Sequence, residues 1–117
     1  MARANLSDKA YKSLTQSYES VGVFDEMFEI NEESVYYRPW FSTAAGIFIS
    51  TVNDMLIQCD KNIIHILPAF PHNIDVSFKL SAKGGITVEA AVKNGILEKV
   101  IVLKNGVEVT EQFTIII

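Results

Sequence analysis

The sequence predicts an α+β, mainly β fold, with N-terminal helices followed by an antiparallel β-sandwich or meander of about five to seven strands. In residues 42–59 the apolar positions recur at three- and four-residue spacing, which is typical of a helix. From Asn62 onward apolar and polar residues alternate instead. Glycine-containing pairs at 84–85, 94–95 and 105–106 interrupt this alternating region, as tight hairpin turns require.

The length and composition favour one domain. The chain has 117 residues, of which 49% are hydrophobic, enough for one core and too few for two comfortable ones. We therefore predict a single domain over 1–117, with a helical part over 1–60 and an antiparallel β part over 61–117.

A first helix is predicted over 7–19. Its Ala10, Tyr11, Leu14 and Tyr18 share one face and are expected to pack against the core. The stretch that follows mixes apolar and acidic residues without a clear period, so no element is predicted there.

A short strand is predicted over 35–37, before a proline that forces an extended or turn conformation on Arg38. A second helix then begins at Ser42 or Thr43. Its apolar stripe is expected to be buried and comprises Ala45, Phe48, Val52, Met55, Leu56 and Cys59. Cys59, the only cysteine, is interpreted as a small core residue at the end of this stripe.

The second half of the chain contains five candidate strands. They are 63–67, 74–80, 86–93, 97–104 and 107–117. In the third of them, the alternation predicts that Ile86, Val88, Ala90 and Val92 point inward while the intervening residues meet water.

Charge and composition exclude several classes of function. The net charge is -4 and the ten basic residues are dispersed, which disfavours a nucleic-acid partner. The longest apolar runs are far shorter than the roughly 20 residues that cross a bilayer, so no membrane partner is expected. Residues 1–18 are polar, which predicts a cytoplasmic protein.

No cofactor, metal site or catalytic residue is predicted. One cysteine excludes an internal disulfide and the usual multi-cysteine zinc site. The two histidines, His65 and His72, lack metal-ligand spacing. His65 lies in an apolar run typical of a strand, whereas His72 follows a proline in a predicted loop and should be the more exposed.

Two alternatives give the candidate residues a function. Trp40, with Tyr36 and Tyr37, would form a stacking platform for sugar rings, although aromatic residues beside a proline more often fill a core edge. His65 or His72 would serve as the base of a small hydrolase. The candidate binding residues are therefore Trp40, Tyr37, His65 and His72.

Three blocks in the C-terminal half carry a resemblance to a known family. They read D-M-L-I-Q-C at 54–59, I-L-P-A-F-P at 66–71 and L-S-A-K-G-G-I at 80–86. In this order and spacing they resemble the C-terminal segment of bacterial inverting alpha-L-fucosidases of glycoside hydrolase family 95. The resemblance covers about half the chain and fades toward Met1.

The resemblance implies a helix that closes an (α/α)6 catalytic barrel and a β-sandwich that packs against that barrel. The family's catalytic groups belong to the barrel, and residues 36–42 contain no aspartate or asparagine, so no catalytic residue can be carried over. The expected function is that of a non-catalytic accessory or remnant domain, acting in structure, assembly or packing against a barrel. The alternatives are a carbohydrate-binding module or a small hydrolase.

Such a domain should keep an apolar patch where the barrel would sit. A free copy would cover that patch by self-association, and the Ile-Ile-Ile run at 115–117 fits this expectation. The predicted partners are therefore a second copy of the chain or a catalytic barrel subunit, with carbohydrate as a further candidate ligand.

Overall fold

A computed structural model of the chain describes residues 7–21, 27–30, 35–38 and 42–117, with side-chain surroundings for 7–16 and 46–117. The helices are α1 (Ser7–Val21) and α2 (Ser42–Leu56), and a short 3-10 helix spans Thr110–Gln112. The strands are β1 (Met27–Ile30), β2 (Val35–Arg38), β3 (Ile57–Asp60), β4 (Ile63–Ile66), β5 (Val76–Ala82), β6 (Ile86–Lys93), β7 (Ile96–Lys104), β8 (Val107–Glu108) and β9 (Thr114–Ile116).

The predicted α+β, mainly β fold is confirmed. Within the described ranges the strands form a β1-β2 hairpin, a three-stranded sheet in the order β3-β4-β9 and a four-stranded sheet in the order β5-β6-β7-β8. All the neighbouring strands are antiparallel except β4 and β9, which run parallel.

Two of the predicted hairpin turns are two-residue loops with positive φ at both positions. Asn94 and Gly95 have φ of 51° and 74°, and Asn105 and Gly106 have φ of 51° and 78°. This is the pattern of type I′ turns, whose twist matches that of the flanking strands. The Asn-Gly pairs therefore fix the β6-β7 and β7-β8 connections where the sequence predicts them.

The central strand β6 shows the predicted alternation. Ile86, Val88, Ala90 and Val92 are each at most 3% exposed, and the residues between them are more accessible. One face of the four-stranded sheet is therefore buried, and its other face is turned toward solvent.

The main core lies between the two larger sheets. Its buried members are Leu56, Ile57, Ile64, Ile66, Leu67, Ile86, Val88, Ala90, Val92 and Val102. Since both sheets contribute to one cluster, their apolar faces pack on each other in a sandwich-like arrangement.

A smaller cluster attaches α1 to the rest of the fold. Ala10, Met55 and Ala69 are buried together, and the rings of Tyr11 and Phe70 meet edge to face with centroids 5.8 Å apart. The predicted inner face of α1 is thus confirmed at Ala10 and Tyr11, and Leu14 also packs here. Tyr18 lies on α1, but its side-chain surroundings are outside the described part.

The end of the second helix was predicted wrongly. α2 ends at Leu56, and β3 follows without a loop, so the half-buried Cys59 lies on a strand and not on a helical stripe. The apolar spacing across this junction is compatible with a continued helix and with a strand. Pairing of Ile57 with Ile66 of β4 favours the strand. Together with β1 and β2, β3 also places strands inside the part predicted as helical over 1–60.

The strand predicted over 107–117 is broken into β8, the 3-10 helix and β9. Thr110 causes the break, because its hydroxyl oxygen accepts the backbone N–H of Val102 at 2.9 Å where a continuing strand would pair. The chain then crosses to the other sheet and pairs in parallel with β4, which the prediction of an all-antiparallel sheet missed.

The remaining strand boundaries differ by small amounts. β5 begins at Val76 and not at Ile74, because the Ile74 N–H donates to the Pro71 carbonyl in a turn at 3.3 Å. The strand predicted over 35–37 is confirmed as β2, and its partner β1 was not predicted.

Candidate functional site

The loop that leaves β4 is bonded to the C-terminal end of α2. The Leu67 N–H donates to the Leu56 carbonyl at 2.8 Å, and the Ala69 N–H donates to the Met55 carbonyl at 3.3 Å. The last carbonyls of a helix lack partners within the helix, and these two bonds satisfy two of them. The I-L-P-A-F-P segment therefore serves as the C-terminal cap of α2.

Leu67 occupies an unusual conformation in this loop. Its φ is +54°, in the left-handed region that costs a residue with a side chain about 1–2 kcal/mol. Its side chain is only 1% exposed. Burial of the leucine side chain and the bond to α2 together hold the backbone in this conformation.

His72 supports the same loop. Its Nε2 lies 3.2 Å from the Leu67 carbonyl oxygen, so the tautomer protonated at Nε2 donates a hydrogen bond there. The following turn is tied to the β6-β7 hairpin, because the Asp75 carboxylate accepts the Asn94 N–H at 2.8 Å. This geometry gives His72 a structural role in an exposed loop.

His65 lies on another element. It is half-buried on β4, opposite Gln58 and Ile116, on the face away from the core residue Ile64. The predicted order of exposure is found, with His72 the more exposed of the two histidines. Among the residues whose side chains are described, no group of three or more His, Cys, Asp or Glu could hold a metal ion.

The proposed aromatic platform falls mostly outside the described part. Trp40 is not among the described residues. Tyr36 and Tyr37 lie on β2, paired with Glu29 and Phe28 of β1, and their side-chain surroundings are not described. The sugar-stacking interpretation therefore stays a prediction.

The outer face of the four-stranded sheet carries a charged cluster that the sequence did not single out. The Glu89 carboxylate pairs with Lys99 at 2.5 Å and with Lys79 at 3.8 Å, in an open, shallow groove that Ser77 and Ala91 also line. The hydrogen bond from Lys99, and then its charge, lowers the pKa of Glu89 below the usual value. Solvent screens these exposed groups, so their contribution to stability is small.

We predict that Lys99→Met raises the pKa of Glu89, because it removes both the hydrogen bond and the nearer charge. A carboxylate whose pKa is lower in the folded than in the unfolded protein stabilises the fold at pH values above its unfolded pKa. That stabilisation is lost as the pH falls through the folded pKa. NMR titration of the Glu89 side chain measures the shift. Lys79→Met is the matched control and should raise the pKa less; an equal or larger rise would contradict the assignment.

Large apolar side chains are exposed at several places in the described part, including Ile96 and Val107, which directly follow the two Asn-Gly turns. Ile47 and Ile49, 62% and 52% exposed, lie two positions apart on the N-terminal half of α2 and therefore on different sides of the helix; together we call them the helix patch. Ile116 and Ile117, 42% and 44% exposed, lie on or beside strand β9. The stripe predicted from spacing included neither isoleucine of the helix patch; the run A-A-G-I-F-I, apolar on every face, was the signal available.

No helix in the described part of the chain is long and apolar enough to cross a membrane. Comparisons with models of protein families, with curated proteins and with solved structures find no match to the chain.

Proposed function

We propose that the chain is a non-catalytic accessory domain that packs against a larger partner, with an alpha-L-fucosidase-like catalytic barrel as the partner that the sequence resemblance implies. The observation that carries the proposal is the exposed helix patch. Exposed apolar side chains gain favourable free energy when a partner removes them from water, so they indicate a candidate contact surface.

The two ends of α2 differ in a way that supports this proposal. Met55 and Leu56 near its C-terminal end are 0% and 8% exposed, while Ile47 and Ile49 stand in solvent. Covering one isoleucine side chain contributes about 1.5–3 kcal/mol. A helix anchored at one end and apolar at the other suits a position between its own β-sandwich and a neighbouring helical body.

The surroundings of the two histidines support a non-catalytic role. His72 is hydrogen-bonded to the Leu67 carbonyl, and His65 faces Gln58 and Ile116, neither of which is a nucleophile. A hydrolase would need a nucleophile and a base within hydrogen-bonding distance. Neither the hydrolase nor the sugar-binding alternative has an observation in the described residues that favours it.

The test uses the catalytic barrel of a family 95 alpha-L-fucosidase produced without its own C-terminal sandwich. We expect this chain to co-elute with that barrel in size-exclusion chromatography and to raise its melting temperature. The barrel's own sandwich, supplied as a separate chain, is the positive control. If the barrel binds its own sandwich and leaves this chain in a separate peak, the proposed partner is wrong.

Substitutions in the helix patch locate the contact. Ile49→Asp should weaken binding to the barrel about tenfold or more, because it places a charge in the apolar contact. Ser50→Asp adds the same charge at the next exposed position and is the matched control. Equal loss of binding in both variants would contradict a contact through the helix patch.

We also propose a cytoplasmic location. It is supported by the cysteine content, because small secreted domains usually depend on disulfides and this sequence has one cysteine, Cys59, with no second cysteine to pair with. Cell fractionation of the tagged full chain tests this, and recovery outside the cytoplasm would overturn it.

A further inference from the structure

Strand β9 lies at an open edge of the three-stranded sheet. Its only neighbour among the described strands is β4, which pairs Ile64 with Ile115 and His65 with Ile116. The Thr114 N–H donates to the Asn62 carbonyl at 2.7 Å, which fixes the side of β9 that faces β4.

That bond also determines which backbone groups face outward. In a parallel ladder both backbone groups of one residue point to the same neighbour, and those of the next residue point the opposite way. Thr114 and Ile116 therefore bond to β4. The N–H and carbonyl of Ile115 point to the open edge, where no described strand lies.

The side chains of this edge do nothing to block pairing. Natural sheets usually protect an edge with charged residues, proline or a bulge. Residues 112–117 read Q-F-T-I-I-I and contain neither a charge nor a proline. Ile116 is 42% exposed on the outer face of the sheet, beside Ile63 at 43%.

We propose that β9 binds the β9 strand of a second copy of this chain, antiparallel and centred on Ile115. In an antiparallel sheet, two residues of a hydrogen-bonded pair exchange both N–H and carbonyl contacts. Ile115 therefore pairs with Ile115 of the second copy across a two-fold axis, and Ile117 N–H donates to Phe113 carbonyl on each side. The two three-stranded sheets become one six-stranded sheet.

A second copy suits this edge because the edge is self-complementary. The register places Thr114 opposite Ile116 of the second copy, so exposed apolar surface is covered twice by one symmetric contact. No like charges oppose each other, since the nearest acidic residue, Glu111, lies beyond the paired segment. This contact uses a surface separate from the helix patch and goes beyond the proposed function.

Backbone hydrogen exchange at Ile115 is the specific measurement. We expect a dimer by light scattering, and slow exchange of the Ile115 N–H in NMR spectra at high protein concentration. On dilution to monomer, the Ile115 N–H should become unprotected while those of Thr114 and Ile116 stay protected by β4. A monomer at all concentrations would overturn the proposal, as would a dimer in which the Ile115 N–H exchanges freely.

Charge substitutions on the edge test the register. Thr114→Lys should weaken the dimer about tenfold or more, because the new charge faces Ile116 of the second copy. Ser81→Lys on the exposed edge strand β5 is the control and should leave the dimer unchanged.

A second substitution should restore the dimer. Adding Ile116→Glu to Thr114→Lys sets opposite charges against each other across the two-fold axis, so the double variant should dimerise more strongly than Thr114→Lys alone. A dimer unaffected by Thr114→Lys, or weakened further by the added Ile116→Glu, would overturn this register.

Discussion

Ile64→Ala is expected to lower the free energy of unfolding by about 2–5 kcal/mol, because it removes three buried carbon atoms and leaves a cavity. Ile64 is 0% exposed on β4, the central strand of the three-stranded sheet. Its side chain belongs to the core that joins this sheet to the four-stranded one. Urea denaturation followed by circular dichroism measures the loss.

The adjacent residue provides the control for that substitution. Ile63 is 43% exposed and points to the opposite face of the same strand. Ile63→Ala should cost less than about 1 kcal/mol. Similar losses for the two variants would mean that β4 does not present Ile64 to a shared core, and the sandwich-like packing would be wrong.

Leu67→Ala is expected to lower the free energy of unfolding by about 2–5 kcal/mol, because Leu67 is buried in the main core. Its backbone conformation adds a second, opposite prediction. Glycine adopts the left-handed region without the steric cost that alanine bears. Leu67→Gly should therefore be about 1 kcal/mol more stable than Leu67→Ala, the reverse of the usual order at positions with negative φ.

Both variants lose the leucine side chain beyond Cβ, so the difference between their free energies of unfolding mainly reports the backbone conformation at position 67. Chemical denaturation of both under one set of conditions gives it directly. Alanine equal to or more stable than glycine at position 67 would contradict a positive φ at this residue.

Local signals predicted the C-terminal half of the fold well. The Asn-Gly turns at 94–95 and 105–106 require positive φ, and the strict alternation around Val88 specifies which face is buried. Both are properties of neighbouring residues. The sequence pattern alone therefore places β6, β7 and the turns between them.

Features that depend on distant partners were missed. The end of α2 and the start of β3 depend on pairing with β4, and the break after β8 depends on the Thr110 hydroxyl reaching Val102. The parallel contact between β4 and β9 joins residues about fifty positions apart, and its sequence signal resembles that of any apolar strand. Tertiary contacts set these boundaries.

The candidate site was predicted in part. The relative exposure of His65 and His72 followed from strand and loop patterns, whereas the bond from His72 to the Leu67 carbonyl required the left-handed turn to be known. The helix patch was missed because the periodic stripe was expected to take up the apolar side chains of α2. Ile47 and Ile49 lie outside that stripe.

Hydrogen exchange of α2 with and without the family 95 barrel tests the central proposal most directly. The exchange of peptides covering 46–53 is measured by mass spectrometry for the free chain and for the mixture. A non-catalytic domain that packs through the helix patch should show slower exchange in these peptides when the barrel is present. Unchanged exchange in α2, in a mixture where the barrel still protects its own sandwich, would contradict the proposed function.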